Sequence, residues 1–128
     1  QADRIICDVP CSGSGTWRRR PEEKLNLNQK KFQNLLDIQQ NILNYGASLV
    51  KIGGEIVYIT CSLLDNENKE QINLFLKNNS NFEIVDLRNS WNNIIKSQEW
   101  HSKEPFCQLT PFFHKCDGFF LARLVRNN

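Results

Sequence analysis

The sequence predicts an α/β fold: two parallel strands joined by a helix, then an antiparallel strand pair at the sheet edge. Three observations carry this. Ile5-Ile6-Cys7-Asp8-Val9 is a short apolar run closed by Pro10 and the small-residue loop Cys11-Ser12-Gly13-Ser14-Gly15, the pattern of a buried strand. Glu55-Ile56-Val57-Tyr58-Ile59-Thr60 repeats it and again delivers a thiol, Cys61, at its end. Between them runs a long stretch whose apolar residues stand three and four apart.

Residues 4–9 are the first strand and 10–22 a loop with Pro21 near its end. From 28 to 50, Phe32, Leu35, Leu36, Ile38, Ile42, Leu43, Ala47, Leu49 and Val50 mark an amphipathic helix, or two separated by a kink. Gly53-Gly54 is the expected stop signal, with Lys51 in the last turn, where a cation suits the helix dipole. Residues 55–60 are the second strand. A strand–helix–strand unit implies parallel strands with a right-handed crossover. As neighbours they would lie about 4.8 Å apart. Cys11 and Cys61 would then emerge together with Asp8 at the carboxyl edge, where open α/β sheets bind ligands.

Residues 65–78 read as the next helix, with Asp65 as N-cap. Its inner face is Ile72, Leu74, Phe75 and Leu76, and its outer face Glu67, Lys69, Glu70 and Lys77. A turn at 78–81 leads to a third strand at 82–87. Residues 88–116, with Trp91, Trp100, Pro105 and Pro111, form an irregular excursion with a short helix. The last strand is 118–125. No crossover helix separates it from the third strand, so the two pair antiparallel. Phe119 and Phe120 point to opposite faces, and at least one is core.

Composition narrows the function. The 128 residues suffice for one domain but are short for a complete doubly wound enzyme. A 40% hydrophobic content with interspersed charge is that of a globular protein. No apolar run reaches the roughly 18–20 residues that span a bilayer, so no membrane partner is expected. Gln1-Ala2-Asp3-Arg4 leads straight into a strand, so no signal peptide is expected within these residues. The absence of methionine suggests a processed, excised or truncated chain. Five cysteines without a C-x-x-C pair argue against a disulfide framework or a zinc ribbon. Reduced thiols in the cytoplasm are the expectation. Cys7, Cys107 and Cys116 read as small buried hydrophobes, and His101 and His114 as loop residues. No metal is expected, at Cys107, His114 and Cys116 or elsewhere. A net charge of +2 does not mark a nucleic-acid binder, but the cluster Arg18-Arg19-Arg20 says more than the total.

The motifs form an ordered set. Asp8-Val9-Pro10-Cys11-Ser12-Gly13-Ser14-Gly15 comes first, then Arg19-Arg20-Pro21-Glu22 and Gln40 within the long helix. Gly53-Gly54-Glu55-Ile56-Val57-Tyr58-Ile59-Thr60-Cys61-Ser62, Glu67-Asn68 and Asp117-Gly118-Phe119-Phe120-Leu121-Ala122-Arg123 follow. Over nearly its whole length the chain resembles the RNA 5-methylcytosine methyltransferases of the RsmB/Nop2/Sun family. The resemblance implies a partial Rossmann-like methyltransferase fold, S-adenosylmethionine as cofactor, and RNA, in particular ribosomal RNA, as partner. Carbon 5 of cytosine is a poor nucleophile, and a thiolate added at carbon 6 activates it, which is covalent catalysis. By motif, Cys61 is the nucleophile, Cys11 assists product release, and Asp8 stands where methyl donor and target base meet. Arg18, Arg19 and Arg20 read equally as solvated surface or as contacts to RNA phosphate. Trp17 reads as packing before base stacking.

In the family, the strands and Gly-rich loop that hold the cofactor precede the Asp-Val-Pro-Cys strand. Residues 1–128 therefore resemble the C-terminal portion of a catalytic domain. A separately encoded or missing N-terminal half is the implied partner, and the isolated chain is expected to be inactive. The alternative is a catalytically inactive remnant that binds RNA or a complementary N-terminal half. After the proline the family often has an Asp and then a Trp, and here Glu22 and Asn26 stand nearby. A cysteine hydrolase lacks a well-placed histidine here, a dithiol redox protein lacks C-x-x-C, and the Gly-Ser loop lacks the P-loop lysine.

Overall fold

The two apolar runs form β1 (Ala2–Asp8) and β2 (Val50–Thr60) in a computed structural model that describes residues 1–95 and 102–128. They pair in parallel, Ile5 opposite Ile56 and Asp8 opposite Ile59. The connection is α1 (Pro21–Asn26) and α2 (Gln29–Leu49), the latter one continuous helix. Pro21 opens α1, where its missing N–H leaves nothing unsatisfied. Asn28 caps α2, its Oδ1 accepting the Lys31 amide at 2.9 Å.

The Gly53-Gly54 pair does not end this helix. α2 stops at Leu49, Val50 is already extended, and both glycines lie inside β2. There the register jumps from Ala2 opposite Val50 to Arg4 opposite Glu55, a step of two residues on β1 against five on β2. Gly53 absorbs the bulge at φ 76°, a left-handed conformation that only glycine adopts without steric cost. Lys51 is consequently a strand residue, paired with Asp3 of β1 rather than with a helix end.

β5 (Phe119–Arg126) lies antiparallel beside β2, with Tyr58 opposite Ala122. Its other side takes β3 (Phe82–Ile84) and β4 (Cys107–Leu109), both antiparallel. Among the described residues the sheet order is β1-β2-β5-β3, with β4 also on β5. The expected antiparallel pair is present, its third strand shorter than 82–87 and β5 interior to the sheet. Ile56, Tyr58, Phe120, Ala122 and Leu124 alternate on one sheet face and join Leu43 of α2 with Ile72 and Phe75 of α3 (Lys69–Asn78) in one buried cluster. Phe120 is thus core, and Phe119 is 43% exposed. Glu55 bridges Arg4 and Arg123 across three strands. Burial pushes its carboxyl up, but the guanidiniums of Arg123 and Arg4 outweigh that and hold it below the ordinary range.

The helical faces differ from the apolar pattern in an informative way. Ile38 and Leu49 are exposed, whereas Gln39 is fully buried at the centre of the α2 face. Leu74 is exposed and Gln71 buried on α3. Asp65 is not the N-cap. Residues 65–68 make turns, with the Asn68 and Glu70 amides donating to the Asp65 carbonyl at 3.1 and 3.0 Å, and the helix starts at Lys69. Those turns rotate Glu67 off the expected outer face and into the interior, where it is 0% exposed.

The excursion contains α4 (Arg88–Ile94), β4 and α5 (Pro111–His114). His114 is buried, its Nδ1 accepting the Thr110 amide at 3.0 Å, and so is more than a loop residue. Trp100 and His101 lie outside the described residues. Among the described residues, no helix is long and apolar enough to cross a membrane, and no His/Cys/Asp/Glu group could hold a metal ion.

Candidate active site

The bond from the Val9 amide to the Ile59 carbonyl, at 3.1 Å, lies where β1 and β2 end. Beyond it each chain enters a loop that begins with a Cys-Ser dipeptide. The first loop passes through a single helical turn at Ser14–Thr16. The Gly15 amide donates to the Cys61 carbonyl at 2.9 Å, and the Leu63 amide to Ser14 Oγ at 2.8 Å. Ser14 and Ser62 hydroxyls share a bond of 2.9 Å. Held this way, Cys11 Sγ and Cys61 Sγ are 3.2 Å apart.

Beneath the loops lies a buried polar layer. Glu67 Oε1 accepts the Ser12 amide at 2.7 Å and Gln39 Nε2 at 3.1 Å. Its Oε2 accepts the Ser12 hydroxyl at 2.6 Å and the Ser62 hydroxyl. Gln39 Nε2 also donates to the Pro10 carbonyl at 2.9 Å, and the Tyr58 hydroxyl to the Glu67 carbonyl at 2.6 Å. Asn68 accepts Thr60 Oγ1 at 2.6 Å and donates to the Ser62 carbonyl at 2.9 Å. Buried polar groups demand partners, and here they find one another across β2, α2, α3 and both cysteine loops.

The two thiols are electrostatically unequal. The Cys11 thiol donates to the Cys61 sulfur and, opposed by burial, lowers Cys61 to about 7. Cys11 moves in the opposite direction, since it keeps the shared proton and is buried. The carboxylates of Glu23 and Asp8 act on Cys61 weakly upward. Burial pushes Cys7 and Cys107 up to about 11, so neither is a thiolate at neutral pH. At pH 7.5 iodoacetamide is therefore expected to alkylate Cys61 before Cys11, Cys7 or Cys107, with a rate midpoint near pH 7. Mass-spectrometric mapping across pH checks it. In Cys11→Ala the midpoint should move up toward the ordinary thiol range, and an unmoved midpoint contradicts the proposed donor.

The thiols open into a cleft of about 820 Å³ lined by Asp8, Pro10, Arg19, Arg20, Cys61 and Phe119 among others. Asp8 is exposed on its wall. Arg19 and Arg20 reach the cleft, Arg19 paired with Asp117 and Arg20 with Glu23, while Arg18 is exposed and outside the lining. Trp17 packs, its Nε1 donating to the Ser12 carbonyl at 3.1 Å. Sequence reasoning quoted Ser12, Ser62, Glu67 and Phe119 within its motifs without giving them a place in the site, and it passed over Gln39. The repeated Cys-Ser pair was the available signal for two of them.

A family model described as 16S rRNA methyltransferase RsmB/F matches residues 1–125. The chain is 35% identical over 126 residues to "Ribosomal RNA small subunit methyltransferase B" of Shewanella oneidensis, covering 98% of this chain and 27% of that protein. The crystal structure of PH0851 superposes with a TM-score of 0.83 at 31% identity, covering 98% of this chain and 27% of that one. The crystal structure of NSun6 from Pyrococcus horikoshii with SFG superposes at 0.77 and 22% identity, over 100% of this chain and 31% of that one, a likeness of fold. The chain spans about a quarter of the length of the curated relatives it matches.

Proposed function

The chain belongs to the RsmB/F methyltransferase family, and from that premise we propose that it is part of an S-adenosylmethionine-dependent RNA cytosine-5 methyltransferase acting on ribosomal RNA in the cytoplasm. Residues 1–128 are then the C-terminal portion of its catalytic domain, with an N-terminal half as partner. The observation that carries this is the pair of unequal thiols 3.2 Å apart at the mouth of one cleft. Cys61, held toward the thiolate, is the nucleophile that adds to carbon 6 of cytosine and makes carbon 5 electron-rich.

The part of the cleft that this chain supplies fits one end of the cofactor. The cleft lies within the roughly 300–1,000 Å³ typical of cofactor sites. The carboxylate of Asp8 on its wall suits a cationic sulfonium, so Asp8 is the residue of this chain that would hold it. S-adenosylmethionine, when bound, supplies the methyl group that carbon 5 receives. A base then takes the carbon 5 proton, the C5–H electron pair restores the C5=C6 double bond, and the carbon 6–sulfur bond breaks with its own pair returning to Cys61. Cys11, donating its S–H to that sulfur, stabilises the departing thiolate. Arg19 and Arg20 supply positive charge at the rim for RNA phosphate, with Arg18 outside it.

The test is a denaturation-resistant adduct on RNA containing 5-azacytidine, with S-adenosylmethionine, for this chain alone and with a supplied N-terminal portion of a relative. An adduct only with the N-terminal portion, absent in Cys61→Ala, is the expected result, and an adduct from this chain alone would mean that the missing half matters less than proposed. No adduct in either arm, with the mixed sample folded, would favour the catalytically inactive remnant.

A further inference from the structure

A sheet with parallel neighbours brings two strand ends together, but does not by itself set the spacing of side chains in the loops beyond them. Here one side chain touches the residue following each thiol. Glu67 Oε1 takes the Ser12 amide at 2.7 Å, and Oε2 takes the hydroxyls of both Ser12 and Ser62. Each hydroxyl is committed on its other side. Ser12 Oγ accepts the Ser14 amide at 3.3 Å, and Ser62 Oγ accepts the Leu64 amide at 3.0 Å. Both hydroxyls send their hydrogens to Glu67, and only Ser62 has a second hydroxyl neighbour, Ser14, in reach. Glu67 is itself fixed, fully buried, with Gln39 at 3.1 Å on its carboxylate and Tyr58 at 2.6 Å on its carbonyl.

We infer that Glu67 is a positioning residue for the reaction: through Ser12 and Ser62 it sets the approach of Cys11 to Cys61, and with it the sharing of the proton between them. It makes no hydrogen bond to either sulfur, and its charge acts on Cys11 only as the smallest of several upward influences. A carboxylate is required because both oxygens must accept. A glutamine keeps the bonds at Oε1 but leaves the Ser12 and Ser62 hydroxyl hydrogens facing an N–H group that cannot accept them. The inference rests on Cys11 and Cys61 being the reacting pair. The unaltered chain and partner failing to form an RNA adduct would sink that reading, whereas the thiol measurements below bear on Glu67 alone.

The test is E67Q in this chain, read by circular dichroism, by the pH profile of Cys61 alkylation and by binding of phenylarsine oxide, which needs two adjacent thiols. The expected result is a folded chain whose Cys61 midpoint rises by about one unit, roughly a tenfold lower alkylation rate at pH 7, with arsenical affinity about tenfold weaker. A folded E67Q with unchanged midpoint and affinity would overturn the inference and leave Glu67 a stabilising residue only. Should E67Q not fold, Ser12→Ala and Ser62→Ala each cut one arm of the link while keeping Glu67. Each is then expected to move the midpoint part of the way, and an unmoved midpoint in both overturns the proposal.

Discussion

Glu67→Ala is expected to destabilise the fold by about 4 kcal/mol, measured as the fall in unfolding free energy in a urea titration. Leaving a buried donor without an acceptor costs about 1–3 kcal/mol. The alanine removes the acceptor of the Ser12 amide, of two hydroxyls and of one bond from Gln39. The losses are unequal. Gln39 keeps the Pro10 carbonyl, and Ser62 keeps a hydroxyl partner in Ser14. The Ser12 amide keeps nothing the structure gives it. Against a typical total of about 5–15 kcal/mol, the variant would be marginal. A loss below about 1 kcal/mol would mean that the layer beneath the thiols is not the organising feature described here.

Gly15→Ala is expected to cost about 3 kcal/mol or more, at the upper end of what overpacking usually costs. The cause is close approach. A Cβ on Gly15 would stand 2.3 Å from the Gly118 carbonyl oxygen and 2.7 Å from its Cα. The obstacle is backbone on both sides, and each backbone is tied down. Gly118 donates to the Gly15 carbonyl at 2.9 Å, and Gly15 donates to the Cys61 carbonyl at the same distance. Gly53→Ala is the control, with nothing within 4 Å of its Cβ and only its φ of 76° to resist the change. It should cost about 1–2 kcal/mol. Thermal melts of the two variants, compared with the parent, give the difference, and equal costs would contradict the close contact.

What the sequence made legible was what apolar patterning encodes. β1, α2 and β2 follow from two β-rich runs around one amphipathic stretch. Their parallel pairing follows from the length of the connection, and the meeting of Cys11 and Cys61 from that pairing. Polar burial was illegible for a physical reason. Periodicity sorts residues by hydropathy, so it placed Glu67 outside and skipped Gln39 and Gln71. These three belong inside only because they satisfy one another and the loop serines. The fate of Gly53-Gly54 was hidden in another way, since a glycine pair serves a bulge as readily as a helix end. Only the register of the neighbouring strand distinguishes them. Phe119 was read as one of an alternating pair, and its place on the cleft wall depends on β5 lying against β2.

The contact of Gly118 with Gly15 has a consequence in time. The helix and strand that carry Cys61 complete a local unit by Asn78, and β1 can pair with β2 as soon as both exist. The loop of Cys11, however, is braced by residues about a hundred positions later in the chain, at the start of β5. Synthesis runs from the N-terminus, so residues 1–78 leave the ribosome before Gly118 exists. The two sulfurs therefore wait, at the end of a sheet with a missing strand, until the segment beyond Gly118 has been synthesised and inserted beside β2. Until then the Gly15 side of the cleft lacks its brace.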